Sequence, residues 1–177
     1  MKIGIDISQL AYERTGVANI VKNLAQHLVS IDKENEYVLF YSSLRKKLDS
    51  SLVNELTSSR VEFKFYNLPP TVLDLLWNKL HILPIENLIG DVDVFITSDW
   101  TEPPAKKARK MTILYDLIVY KYPQETAEKI VATQKRKLAW VKKETDMILC
   151  ISEATKKDAM EILGIDENRL RVVYPGI

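Results

Sequence analysis

The chain has 177 residues, 46% of them hydrophobic and 28% charged, with a net charge of +1 and one cysteine. That size supports one domain with a real core, and the composition is that of an ordinary soluble globular protein. A charge this small argues against bulk attraction to nucleic acid. Cys150 alone excludes an internal disulfide framework or a cysteine-only metal cage, and no apolar run is long enough to cross a bilayer.

The first apolar segment, Lys2 to Ile7, is short and β-branched and reads as a buried strand. It begins at once, which leaves no room for a signal peptide, so the expectation is a cytoplasmic protein. A loop follows over Ser8 to Gly16. Val17, Ile20, Val21, Leu24, Leu28 and Ile31 then recur at helical spacing and predict a helix over 17–31. Tyr37 to Tyr41 is a second strand, and 44–57 a short polar helix. Val61, Phe63 and Phe65 alternate with Glu62 and Lys64, the pattern of a half-exposed strand at a sheet edge. After Pro69-Pro70 comes a leucine-rich helical segment over 72–83, which serves as a core helix or as an apolar foot on a membrane. Asp93 to Thr97 is a central strand. Lys106, Lys107, Arg109 and Lys110 lie in an exposed loop, and Met111 to Leu114 is the next strand.

A long helix is predicted over 124–144, with Ala127, Ile130, Val131, Leu138 and Val141 facing inward. Met147 to Ile151 is a strand. Ser152 caps the helix after it and Gly164 ends that helix. Leu170 to Tyr174 is the last strand. This alternation predicts an α/β fold: a Rossmann-like three-layer sandwich with a mostly parallel sheet and helices on both faces, one domain over 1–177.

Open parallel sheets bind ligands beyond the carboxyl ends of their strands. That rule selects the loops Ser8 to Gly16, Ser98 to Pro104 and Tyr115 to Tyr122, and the helix start at Ser152-Glu153. Thr15-Gly16 opens a helix, where backbone N–H groups can approach an anion, although a plain turn glycine looks the same. Asp116 follows a buried strand and can orient a hydroxyl or cap its own loop. Ser152 and Glu153 can border a ligand or only cap a helix. Trp100 lies at a strand end in a ligand loop, where an indole can stack on a sugar.

Neither a dinucleotide G-x-G-x-x-G nor a Walker A loop is present, which disfavours a nicotinamide oxidoreductase or a P-loop nucleotidase. His27 and His81, read as helical, are too few and too far apart to predict a metal site. The basic runs at Lys106 to Lys110 and Lys135 to Lys137 with Lys142 and Lys143 read as solvated faces, or as attraction to anionic headgroups at the inner face of a membrane or to a phosphorylated acceptor.

Several segments together resemble one family. Lys2-Ile-Gly-Ile-Asp6 with Glu13-Arg-Thr-Gly-Val17 comes first, then Leu76-Trp77 through Leu83-Pro84 and Asp91-Val-Asp-Val-Phe95. Tyr115-Asp-Leu-Ile118 with Tyr122-Pro123, Ile151-Ser-Glu-Ala-Thr155 through Ile162-Leu-Gly164, and Arg171-Val-Val-Tyr-Pro-Gly176 follow in the same order. This is similar to the N-terminal half of GT-B fold retaining glycosyltransferases of family four (group 1). The resemblance implies an acceptor-side domain, with a second, donor-binding domain, absent from 1–177, to be supplied in cis or in trans. It implies a nucleotide-sugar donor, no other cofactor and no metal, and a sugar, glycan or lipid-linked acceptor. By position, Gly16 would face the donor, Asp116 would be the catalytic residue beside the reacting sugar, and Ser152 and Glu153 would border the cleft. Tyr115 stands where the family has histidine, and Thr15 stands in a usual double glycine; tyrosine donates a hydrogen bond but cannot carry an imidazolium charge.

The alternative expectation is a non-catalytic glycosyltransferase-like module that binds a glycan or a protein partner. An actin-like sugar kinase, suggested by Ile3 to Ile7, is disfavoured because Ser8-Gln9-Leu10-Ala11 follows instead of a glycine-rich hairpin.

Overall fold

The computed structural model describes residues 1–12, 14–97 and 99–176. Glu13, Ser98 and Ile177, which the sequence reading placed in the first loop, the second loop and the chain end, lie outside the described residues. One seven-stranded sheet runs through the chain in the order β3-β2-β1-β4-β5-β6-β7. Its strands are β1 (Lys2–Asp6), β2 (Glu36–Ser42), β3 (Val61–Tyr66), β4 (Val94–Thr97), β5 (Arg109–Leu114), β6 (Met147–Cys150) and β7 (Leu170–Val172). Every pairing is parallel, so all carboxyl ends lie along one edge of the sheet. The order reverses between β1 and β4, where a crevice opens in sheets of this kind.

Register divides the side chains between two faces. In β2, Tyr37, Leu39 and Tyr41 join a front cluster with Ile5, Ile96 and Ile113, beneath α1 (Gly16–Ile31) and α2 (Ser50–Leu56). Val38 and Phe40 point the other way, onto Trp77, Ile85, Ile89 and Phe95. That part of the back face is covered by α3 (Pro70–Leu73), the π-helical segment Asp74–Lys79 and α4 (Glu86–Ile89). Farther along, α6 (Glu128–Glu144) and α7 (Glu153–Leu163) cover Leu114, Ile148 and Cys150, with the short α5 (Ile118–Lys121) beside them. Burial pushes the Cys150 thiol up to about 11, which suits a small core residue and not a nucleophile.

Several expected boundaries move, each for a local reason. The helix expected over 44–57 shortens to Ser50–Leu56 because Asp49 caps it, accepting from the Ser51 amide at 3.0 Å. The segment expected over 72–83 starts at Pro70 and stops at Lys79, since His81 and Leu83 take left-handed backbone angles of +51° and +65°. The helix expected from 124 begins at Glu128, after a 3-10 turn over Pro123–Glu125. Strands β6 and β7 end at Cys150 and Val172, short of the expected Ile151 and Tyr174. Gly164 ends α7 at φ +62°, the left-handed cap that glycine adopts without strain.

The largest correction concerns the basic run 106–110. Arg109 and Lys110 belong to β5, and Lys110 is only 4% exposed. Its ammonium lies 3.3 Å from Glu102 and 3.0 Å from Glu144 and donates to the Pro103 carbonyl. The loop ahead of it wraps a second carboxylate. Glu86 Oε1 accepts the backbone N–H groups of Lys106, Lys107 and Ala108 at 2.8, 2.9 and 3.1 Å. Burial works against ionisation there, yet these amides hold the Glu86 carboxyl below its ordinary value. Residues 135–143 also disperse: Lys135 lies over Tyr120, Arg136 pairs with Asp74, Lys137 is buried, and Lys143 lies over Trp140.

Two consequences follow for stability. Lys110→Met leaves Glu102 buried without its cation and is expected to cost about 3–5 kcal/mol in urea unfolding. Because Glu86 ionises more easily folded than unfolded, its contribution is full above the ordinary glutamate value and is lost as pH falls through the lowered one. Glu86→Gln should therefore be less stable at pH 7 and show a flatter loss of stability in acid, read from denaturation midpoints across pH 7 to 3.

Candidate functional site

Three cavities lie along the carboxyl edge of the sheet, of about 390, 380 and 220 Å³, and Trp100 lines all of them. The first is bounded by the ends of β1 and β2 and the chain after β3, with Asp6, Ser8, Tyr12, Ser43, Arg45, Lys46 and Pro69 in its walls. The second continues past Tyr12 and Pro70 to Asp74, Lys129 and Thr133. The third sits over the ends of β4 and β5, with Asp99, Tyr115, Asp116, Gln134 and Lys137. The first two lie in the size range of small-ligand sites.

The loop carrying Trp100 is fixed from below. Glu102 has no solvent exposure. Its two oxygens accept the hydroxyls of Thr97 at 2.7 Å and Thr145 at 2.8 Å, and its backbone N–H donates to Asn78 at 3.0 Å. Asn78 in turn donates to the Trp100 carbonyl at 2.9 Å and to Asp74 at 3.0 Å. The π-helical segment, the loop after β4 and the end of α6 thus meet in one polar seam between the two apolar clusters of the back face. His81 extends it, with Nδ1 at 2.8 Å from the Trp77 carbonyl, Nε2 at 2.9 Å from Glu144, and its ring stacked on Trp140.

Charges collect at the switch between β1 and β4. Lys137 reaches up from α6, 2% exposed, and donates to Thr112 at 3.1 Å. Burial pushes its ammonium down from the ordinary lysine value, while Glu102, Asp99 and Asp6 pull the other way. Burial pushes the carboxyls of Asp6 and Asp99 up; Lys137 opposes both, and hydrogen bonds to Ser8 and Gln134 oppose them respectively. Sequence analysis reads Lys137 as part of a basic, solvated face, though the signal for its burial was available. It lies seven residues after Ile130 and four before Val141, so it falls on the buried stripe of the helix. Asp6 was equally legible as the last residue of a buried strand.

The residues selected from sequence fare differently. Thr15 caps α1, its hydroxyl accepting the Ala18 amide at 3.1 Å. Gly16 has open space around it, with nothing within 4 Å of an added Cβ. Neither lines the three cavities, although the next residue, Val17, lines the third. Asp116 is exposed to that cavity; its Oδ1 caps the Ile118 amide at 3.0 Å. Tyr115 is 9% exposed and packs in the front cluster, while its carbonyl accepts the Thr155 hydroxyl at 3.0 Å. Ser152 caps α7 by accepting the Thr155 amide at 3.1 Å, Glu153 is exposed in the first turn, and both stand apart from the three cavities. His27 lies on a separate groove beside α1, and His81 falls just past the π-helical segment, not within a helix. Among the described residues no group of three His, Cys, Asp or Glu could hold a metal ion, and no helix is long and apolar enough to cross a membrane.

The profile of Glycosyltransferase Family 4 matches residues 14–177. The chain belongs to glycosyltransferase family 4. No curated protein matches it. The family 4 match begins at the lead-in to α1 and runs through β7, so it includes every cavity wall except those from β1 and the first loop.

The two residues of the first loop separate cleanly by substitution. Thr15→Ala removes a cap and should cost about 1 kcal/mol. Gly16→Ala meets no neighbour and should unfold at a temperature no lower than the parent. Thermal denaturation of the two variants checks both.

Proposed function

We propose that this family 4 domain is the acceptor-binding half of a retaining glycosyltransferase, moving a sugar from a nucleotide sugar to a sugar, glycan or lipid-linked acceptor. A second Rossmann-like domain, joined in cis or met in trans, would hold the donor across the cleft. The observation that carries the reading is the convergence of three cavities on Trp100 at the carboxyl edge of the sheet. An aromatic face at the junction of clefts suits a sugar ring, whose C–H faces stack on indole while its hydroxyls reach polar walls.

In this reading Trp100 orients the acceptor, Asp116 Oδ2 faces the reacting hydroxyl, and Lys137 sets the field beneath them. Gly16 leaves room for donor phosphates at the start of α1, where the helix dipole favours an anion. Ser152 and Glu153 would border the cleft only once the second domain is in place. A cytoplasmic location fits a nucleotide-sugar donor, and peripheral membrane contact would bring a lipid-linked acceptor within reach.

A second reading, a non-catalytic module that binds a glycan or a protein, is favoured by one observation. Tyr115, at the family's histidine position, is packed in the core and supplies no ionisable imidazole to the cleft.

Transfer of labelled sugar separates the two. Residues 1–177 alone should show no turnover, and adding a family 4 donor-binding domain should restore it. Under those conditions Asp116→Asn should lower the rate about 100-fold. Trp100→Ala should weaken acceptor binding about tenfold. Turnover by 1–177 alone contradicts the proposal, and none in the mixture favours the module.

A further inference from the structure

The largest of the three sheet-edge cavities beside Trp100 has walls of unlike chemistry. One wall is aromatic, with Tyr12 and Trp100. The turn after β2 contributes Arg45 and Lys46 to the same lining. Both are exposed, and neither side chain has a hydrogen bond or ion pair among the described residues. The turn beneath them is built, not loose. Ser43 Oγ accepts the Lys46 amide at 3.1 Å, and the Tyr41 hydroxyl donates to the Lys46 carbonyl at 2.9 Å. These bonds fix the backbone that presents the two cations. Accepting from Lys46 also leaves the Ser43 hydroxyl hydrogen free to donate toward the cavity.

Among the described residues Asp6 is the sole carboxylate in the lining. It is 6% exposed, its Oδ1 accepts the Ser8 amide at 2.8 Å, and burial pushes the group toward its neutral form. The cavity therefore presents two cations and a hydroxyl donor with little opposing negative charge. A neutral sugar acceptor would leave both cations idle, whereas an oxyanion would engage them by charge-assisted hydrogen bonds, with Arg45 able to bind in bidentate fashion.

We propose that the acceptor is a phosphorylated sugar, its ring on Trp100 and Tyr12 and its phosphate on Arg45, Lys46 and the Ser43 hydroxyl. This rests on the acceptor-binding reading above and names the substrate class for it. The phosphate can belong to a soluble sugar phosphate or to a lipid headgroup.

Calorimetric titration of the full chain with glucose, glucose 6-phosphate and inorganic phosphate tests the proposal, beside sedimentation with phosphatidylcholine vesicles with and without phosphatidic acid. Glucose 6-phosphate should bind at least tenfold tighter than glucose, and Arg45→Ser with Lys46→Ser should abolish that preference. The preference should also shrink between 50 and 500 mM salt, because the cations are exposed. Binding confined to phosphatidic acid vesicles, with none of glucose 6-phosphate, shows a phosphate site that takes no sugar ring and overturns the proposal. Equal binding of glucose and glucose 6-phosphate that Trp100→Ala removes overturns the phosphate subsite and leaves the acceptor reading standing. Inorganic phosphate binding through Arg45 and Lys46 without either sugar overturns the acceptor reading. No binding in any arm, or a preference that survives the double variant, overturns the proposal. Urea midpoints of the double variant should match the parent, since both side chains are exposed and have no partner among the described residues.

Discussion

A carboxylate without solvent exposure holds the candidate site together. Glu102 lies between β4, β5, α6 and the π-helical segment, and each of its oxygens has a donor. Desolvating a carboxylate costs several kcal/mol, and that cost is met only because Thr97, Thr145, Lys110 and the Asn78 bond to its backbone act together. The consequence is geometric. The loop after β4 cannot shift without breaking this set, so Trp100 stays where three cavities meet.

The same seam explains why the back face holds two apolar clusters instead of one. Register puts Asp6, Thr97, Lys110 and Thr112 on the side of the sheet that also carries Phe95 and Leu114. Apolar helices cover that side to the left and right of them. Between the clusters the sheet presents polar groups, and α6 answers with Lys137 and the nearby Glu144. Fold and site are thus built from one set of contacts. The residues that reconcile β4 and β5 with α6 also set the charge beneath the cleft.

Much of the fold was legible in the sequence because it rests on local pattern. All seven strands were readable from short β-branched or aromatic runs, and the exposed alternation of Val61, Phe63 and Phe65 located the sheet edge. What was not legible depends on partners distant in sequence. Lys110 reads as part of a basic loop until Glu102 and Glu144 are seen around it. The helix after Pro70 reads as regular until its π-helical turn and the left-handed His81 appear. For the site, strand ends pointed to Trp100 and Asp116, which line cavities. The same rule also selected Thr15 and Ser152, which cap helices, and Tyr115, which borders the third cavity while its side chain packs in the front cluster. Arg45 and Lys46 gave no signal, because a cation in a polar turn looks like any solvated charge until a cavity opens beside it. Lys137 could have been found, since a lysine on the inner stripe of an amphipathic helix must be answered by buried acceptors.

Glu102 holds Trp100 in place through this set of bonds. Glu102→Gln keeps the shape and removes the charge that Lys110, Thr97 and Thr145 engage. Hydrogen exchange of the backbone amides over 99–102, measured in the parent and in this variant, is the most direct test. Faster exchange in that segment, with the amides of β1 and β2 unchanged, is the expected result. Exchange over 99–102 as slow as in the parent would contradict the account.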